Sequence, residues 1–382
     1  MLDLPIYLDH AATTPVAHDV LEIMLPYFGT SYGNSSTLYS LGAEARSAVE
    51  TARESIADIL NADPEEIVFT SGGTESDNWA IQSLAQSAGD KKHLLISAIE
   101  HHAVLEPAFA LRKSGFDVEL IPVDGEGFIK FDVLATQLRA DTFLVSVMHA
   151  NNEVGSIQDI ALIASICQKH GVPFHVDAVQ SFSKIPIDLR ELPITLLAMS
   201  AHKLYGPKGV GALFVRRGTS ISPYMLGGEQ ETGRRGGTLN VPGIVGFGAA
   251  AIRSRDKLKI EQERMRLLSN RLIDQVVDVD NGIHLSGSRS NRLASNVHVT
   301  VAGVEGESLL LALDMFGICA SAGSACTTGS TKPSHVLLSM GMSMEQARGA
   351  LRLTLGEETT EEAIDYVATT LKNVVQELRN LS

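Results

Sequence analysis

The segment ITLLAMSAHKLYGPKGVGALFVRR (194–217) decides the fold. ITLLAM is almost wholly apolar, as a strand buried on both faces requires. It runs into Ser200, His202 and Lys203, crosses a glycine-rich turn, and resumes as the strand-like GALFVRR (211–217). Upstream, similar short runs recur: EEIVFTS (65–71), HLLIS (93–97), VELIPV (118–123), FLVSVMHA (143–150) and PFHVDAVQ (173–180). Helical spacing fills gaps between them. Ala45, Ala48, Val49, Ala52, Ile56 and Ile59 mark a helix within 43–60, another begins near Glu75, and a third covers 160–170. Strands alternating with helices predict an α/β fold, a mostly parallel sheet covered on both sides. In such sheets chemistry collects at the carboxyl ends of the strands.

The pattern changes after about residue 250. A polar helix is expected over 257–278, then the alternating strand-like ASNVHVTVAG (294–303), then a C-terminal helix with Thr359 and Glu362 in capping-box spacing. These read as a smaller α+β domain. A chain of 382 residues suits a large domain plus a small one.

Composition narrows the function. The formal charge is −14, from 31 basic and 45 acidic residues, which speaks against direct nucleic-acid binding. The three cysteines, Cys167, Cys319 and Cys326, are too few and too odd in number for a disulfide framework. The start MLDLPIYLDHAATT lacks a basic leader, and IVGFGAAAI (244–252) is about half of the roughly 20 residues a bilayer span needs. A cytoplasmic protein with no membrane contact is expected.

Three strand ends carry complementary groups. In TSGGTES (70–76) two glycines and Thr74 open a helix, a geometry that suits an anion or a simple capped turn. In HVDAVQ (175–180), Asp177 lies in an apolar strand, where a carboxylate needs a cation or good hydrogen bonds. Lys203 ends a buried strand, where desolvation lowers an amine's pKa and suits a Schiff-base lysine. A phosphate cradle, a buried acid and a buried lysine are what pyridoxal 5′-phosphate requires. In IEHHAV (99–104), His101 or His102 is placed to stack on a ring or move protons. SAGSACTTGSTKPSH (321–335) sets Cys326 in small polar residues, where a nucleophile could travel, whereas Cys167 and Cys319 sit among apolar residues and read as core filler.

These motifs, with YLDHAATTP (7–15), TSGGTESDN (70–78), MHANNEVG (148–155), GGTLNVPGIVG (236–246) and RLTLGEETTEEAID (352–365), resemble the pyridoxal-phosphate-dependent cysteine desulfurases of the NifS/IscS branch. The resemblance covers nearly the whole chain. It implies a type I fold with a seven-stranded, mainly parallel sheet in a homodimer. A large domain would span 16–257, and a small one 1–15 and 258–382. By motif position, Lys203 looks like the cofactor lysine, Asp177 the partner of the ring nitrogen, Gln180 that of the ring hydroxyl, and His101 the stacking residue. Gly73, Thr74, Ser200 and His202 would hold the phosphate, and Thr238 would reach the phosphate of the other subunit's cofactor. Asn152 and Arg352 would bind the carboxylate of L-cysteine.

The implied reaction has Lys203 take the Cα proton and the Cys326 thiolate attack the substrate sulfur. L-alanine leaves, and Cys326 carries a persulfide to a protein acceptor such as an iron–sulfur scaffold. Ser334 follows Cys326 by eight residues (334 − 326 = 8), which resembles the long-loop members of the family. Ser35, Thr232 and Gly237 depart from the common pattern, and a chain ending at Ser382 lacks the tail by which the housekeeping branch docks its scaffold. A selenocysteine lyase, or another type I lyase that does not need the thiol, is the nearest alternative.

Overall fold

The computed structural model describes residues 4–323 and 333–381. Twelve strands are described: β1 (Ile6–Tyr7), β2 (Ile67–Thr70), β3 (His93–Ser97), β4 (Asp117–Ile121), β5 (Thr142–Ser146), β6 (Phe174–Asp177), β7 (Leu196–Ser200), β8 (Gly211–Val215), β9 (Ile283–Leu285), β10 (Asn296–Val301), β11 (Ile318–Cys319) and β12 (Ala350–Thr354). Seven form one sheet in the order β2-β8-β7-β6-β5-β3-β4. β8 runs antiparallel to both its neighbours, and the other pairs are parallel. The expected mainly parallel seven-stranded α/β sheet is therefore present. β2, β3, β5, β6 and β7 end on one edge, where the loops bearing the motif residues leave the sheet.

Apolar clusters cover both faces. Trp79, Ile81, Leu84 and Val104 pack on one side with Leu94, Leu144 and Leu213. Val49, Ile56, Phe247 and Ala250 pack on the other with Phe174, Val176 and Met199. Val336, Leu337 and Met340 also join this second cluster, so this segment packs on the large sheet. A third cluster joins Ile6 and Leu8 to Val297, Val299, Leu351, Leu353 and the helix Glu361–Leu381. β1 pairs with β11, which ties the N-terminal strand to the C-terminal part.

The helix expected over 257–278 is longer, running Val241–Val276. Asn240 caps it by accepting from the Gly243 amide at 3.1 Å, and Pro242 lies in its first turn. Its glycines hid this half from the periodicity reading, because glycine is a poor helix former. They serve packing: a Cβ on Gly248 would stand 2.8 Å from Ala52 Cα, where the helix Ser40–Leu60 crosses closely. The same helix thus supplies Phe247 to one core and Leu272 to another.

Two local expectations change. Thr360, not Thr359, caps the last helix, its hydroxyl accepting from the Ala363 amide at 3.1 Å, while Thr359 accepts from the Gly356 amide. Strand β10 alternates as expected but is buried throughout. Its valines face the third cluster, while Asn296 on the other side donates to the Glu153 carbonyl.

Candidate active site

β2 delivers the chain to a turn at Gly72, whose φ of +152° and ψ of −177° belong to a region open essentially to glycine. The helix Gly73–Ser87 follows at once, so its first amides and the Thr74 hydroxyl lie at the sheet edge. A Cβ on Gly73 would stand 2.5 Å from Val179 Cγ2, so any larger residue there must push Val179 aside. A buried ion pair holds β2 in place: Arg53 Nη2 and Nη1 lie 2.7 and 2.8 Å from the Glu231 carboxylate, which also accepts from the Phe69 amide.

The edge encloses a cavity of about 280 Å³. Its wall includes Gly73, Thr74, His101, Asn152, Asp177, Gln180, Ser200, His202, Lys203 and Arg352, ten of the twelve residues expected at the site. Gly73, Thr74, Ser200 and His202 also line an adjoining, more open cavity with Gly72 and Lys208. The other two expected residues stand apart. Thr238 is exposed and not on its own chain's cavity wall, and Cys326 lies outside the described residues. The preceding Gly323 and the following Ser334 both approach buried Glu153, with the Ser334 hydroxyl donating to its Oε2 at 2.5 Å.

Lys203 follows β7 in a short 3₁₀ turn, and its Nζ donates to the carbonyls of Ala11 and Ala12 at 2.6 and 2.7 Å. Gln180 Nε2 donates to the same Ala11 carbonyl at 2.9 Å. The segment after β1 is thus laid across the site as a row of acceptors. Asp177 ends β6 and takes the Val179 amide at 2.9 Å. Burial raises its carboxyl to about 6, although the Val179 amide and Lys203 both pull it down.

His101 caps the helix His102–Lys113, its Nδ1 accepting from the Ala103 amide at 3.1 Å. Burial, then Lys203 and the neighbouring His102 and His335, hold its pKa at about 4. The ring is therefore neutral near pH 7, with its proton on Nε2. His202 is kept neutral in the same way, at about 4, by burial and then Lys203 and Lys208, and its Nδ1 lies 3.1 Å from Thr13 Oγ1. Arg352 is 1% exposed and sits on β12, with Nη1 on the Asn152 carbonyl and Nη2 on Asp9.

The other cysteines divide. Cys167 is buried, and burial pushes its thiol up to about 12. Cys319 is only partly buried, because β11 lies at the edge of a two-stranded pair; it is less enclosed than core filler. Two wall or neighbour groups escaped the sequence reading, Asp77 and Asp9. Asp77 lines the cavity and is 1% exposed. Its signal was its place at helical spacing with Gly73, Ala80, Ile81 and Leu84, a carboxyl on the buried face of its helix.

The donor set fits pyridoxal 5′-phosphate. A lysine, a buried carboxyl, a neutral imidazole and a glycine-opened helix start share one wall, and the wall carries a glycine whose Cβ would be obstructed.

A site of this composition on this sheet defines a class of enzyme, and sequence comparison assigns it. The family model for aminotransferase class V matches residues 6–367. A cysteine desulfurase IscS of Dictyoglomus turgidum is 47% identical over 381 residues, covering 99% of this chain and 96% of that protein. A solved NifS-like protein superposes with a TM-score of 0.93 at 37% identity, covering 98% of this chain and 100% of that one. The structure titled SspA in complex with cysteine superposes at 0.80 with 38% identity, covering 91% and 98%. The chain belongs to the class-V aminotransferase family and, within it, to the cysteine desulfurases.

Proposed function

We propose that this chain removes sulfur from L-cysteine with pyridoxal 5′-phosphate, releasing L-alanine and leaving a persulfide on Cys326. The observation that carries the proposal is the single cavity that gathers Lys203, Asp177, His101, Asn152 and Arg352. Gly73, Thr74, Ser200 and His202 would hold the cofactor phosphate, Asp177 would pair with the ring nitrogen, Gln180 with the ring hydroxyl, and neutral His101 would stack on the ring. When bound, the cofactor supplies an electron sink for charge developing at the substrate Cα.

Arg352 and Asn152 hold the substrate carboxylate, which fixes the Cα–H bond toward Lys203. Lys203 takes that proton and returns a proton to the product carbon. The Cys326 thiolate attacks the substrate sulfur: a sulfur–sulfur bond forms as the carbon–sulfur bond breaks, and L-alanine departs. The terminal sulfur then passes to a protein acceptor, such as an iron–sulfur scaffold. No helix among the described residues is long and apolar enough to cross a membrane. The scarcity of cysteine supports a cytoplasmic enzyme.

The working unit is a homodimer in which Thr238, which is not on its own chain's cavity wall, would reach the partner's cofactor phosphate. The large cofactor-binding domain is 16–257 and the small domain is 1–15 with 258–382, a division supported by the cluster that joins Ile6 and Leu8 to the C-terminal strands, although Val336, Leu337 and Met340 pack on the large sheet.

The test is colour and product together. Purified protein should be yellow, and borohydride should fix the cofactor to Lys203. Cys326→Ala should stay yellow but release no L-alanine from L-cysteine. A variant that keeps full activity on L-cysteine would instead favour a thiol-independent lyase, such as one acting on selenocysteine.

A further inference from the structure

Three buried carboxyls from three elements interact, and two of them, Asp77 and Asp177, line the cavity. Asp77 comes from the helix Gly73–Ser87, Glu100 from the turn after β3, and Asp177 from the end of β6. Their residues are 1%, 0% and 5% exposed. Glu100 Oε1 accepts from the Ser97 hydroxyl at 2.5 Å and the Met148 amide at 2.7 Å, while Oε2 has no partner among the described residues. Asp77 Oδ1 lies 3.4 Å from His175 Nε2, unaligned for a hydrogen bond, and His175 Nδ1 lies 2.8 Å from Ser146 Oγ.

The charged and titratable groups around this cluster are few. Arg352 is committed to Asp9, and His101 and His202 are neutral. His175 is fully buried and held at about 3 by that burial. Lys203 is the ammonium that acts on Asp177. Three buried carboxylates facing one ammonium cost far more than protonating two of them. Asp177 has the amide of Val179 and the nearby lysine, so it is the one that ionises. Asp77 has neither.

We infer that Asp77 is a positioning residue that stays protonated at neutral pH, a neutral acid set against His175, so that Asp177 is the one carboxylate facing the cofactor. In that state a neutral carboxyl lies beside His175 Nε2, and His175 Nδ1–H donates to Ser146 Oγ. The titration order agrees. Burial and then the charges of Asp177 and Glu100 hold Asp77 well above the carboxylate range, and burial lifts Glu100 to about 8. The part of this inference that concerns Asp177 rests on the proposed cofactor chemistry, whereas the protonation of Asp77 does not.

The experiment is an infrared difference spectrum of wild type minus Asp77→Asn, on the full chain at pH 7, freed of cofactor and again after loading. A protonated carboxylic-acid carbonyl band lost in the variant is expected in both states. A lost carboxylate pair in either would overturn the inference. Affinity for pyridoxal 5′-phosphate, read through the chain's one tryptophan, Trp79, on the same helix, gives a second readout. Asp77→Asn, which mimics the neutral acid, should bind within about 3-fold of wild type, and Asp77→Ala should lose about 10-fold or more. Equal losses in both variants would also overturn it. If wild type binds no pyridoxal phosphate, the proposed function fails while the infrared band still decides the state of Asp77.

Discussion

Arg352 Nη2 lies 2.8 Å from Asp9 Oδ1, while its Nη1 lies 2.8 Å from the Asn152 carbonyl oxygen. A carboxylate from the N-terminal segment and a loop after β5 thus hold the guanidinium in position. Its Nε has no partner among the described residues. The group assigned to the substrate carboxylate is therefore already oriented, and Asp9 competes with substrate for one of its edges. Arg352→Lys loses the planar fork and should raise KM for L-cysteine by about 10- to 100-fold. Asp9→Asn keeps an acceptor but removes the competing charge, and should lower KM. Steady-state alanine formation reads both, and an unchanged KM in Arg352→Lys would remove that residue from the substrate site.

The Arg53–Glu231 pair predicts a stability effect. Glu231 is 7% exposed and bonds both the guanidinium and the Phe69 amide of β2. Removing the cation strands that carboxylate. Arg53→Ala should cost about 3–5 kcal/mol in urea denaturation, and a loss under 1 kcal/mol would show the pair to be dispensable.

The turn at Gly72 predicts a coupled loss. Alanine there must adopt φ near +152°, at a cost of roughly 1–3 kcal/mol. Because the same turn aims the helix start at the proposed phosphate, Gly72→Ala should weaken cofactor binding as well as lower the melting temperature. Calorimetry of the cofactor-free and loaded forms separates the two effects.

Stability should peak close to neutrality. His101, His149 and His202 are held at about 4, and His175 and His298 at about 3, chiefly by burial. The unfolded chain binds protons at these sites from about pH 6.5 downward, so stability is lost as pH falls from there toward 4. Glu100 works in the opposite sense. Its folded carboxyl, raised to about 8, holds a proton that the unfolded chain has released, so stability declines as pH rises from about 4.5 to 8. Urea midpoints of the cofactor-free protein across this range should show the maximum, and Glu100→Gln should flatten its alkaline side.

How much of this was readable beforehand follows from local chemistry. β7 and β6 were legible because buried parallel strands are continuous apolar runs, and Lys203 and Asp177 interrupt those runs at their ends. The first half of the helix Val241–Val276 was not legible, because Gly246 and Gly248 serve close approaches, to Met24 and to Ala52, that only the tertiary structure reveals. Asp9 was not legible as a partner of Arg352, since 343 residues separate them and the pairing depends on the N-terminal segment meeting β12. Asp77 stood within a recognised motif, but its burial against His175 depends on how the helix Gly73–Ser87 packs on β6.

The central claim is that sulfur leaves L-cysteine by way of Cys326, and mass spectrometry of a single turnover tests it most directly. One equivalent of L-cysteine, quenched with an alkylating agent, should give one equivalent of L-alanine and add one sulfur atom to the peptide carrying Cys326. L-alanine formed at full yield with that peptide unmodified, and the sulfur recovered as elemental sulfur in its place, would contradict the account.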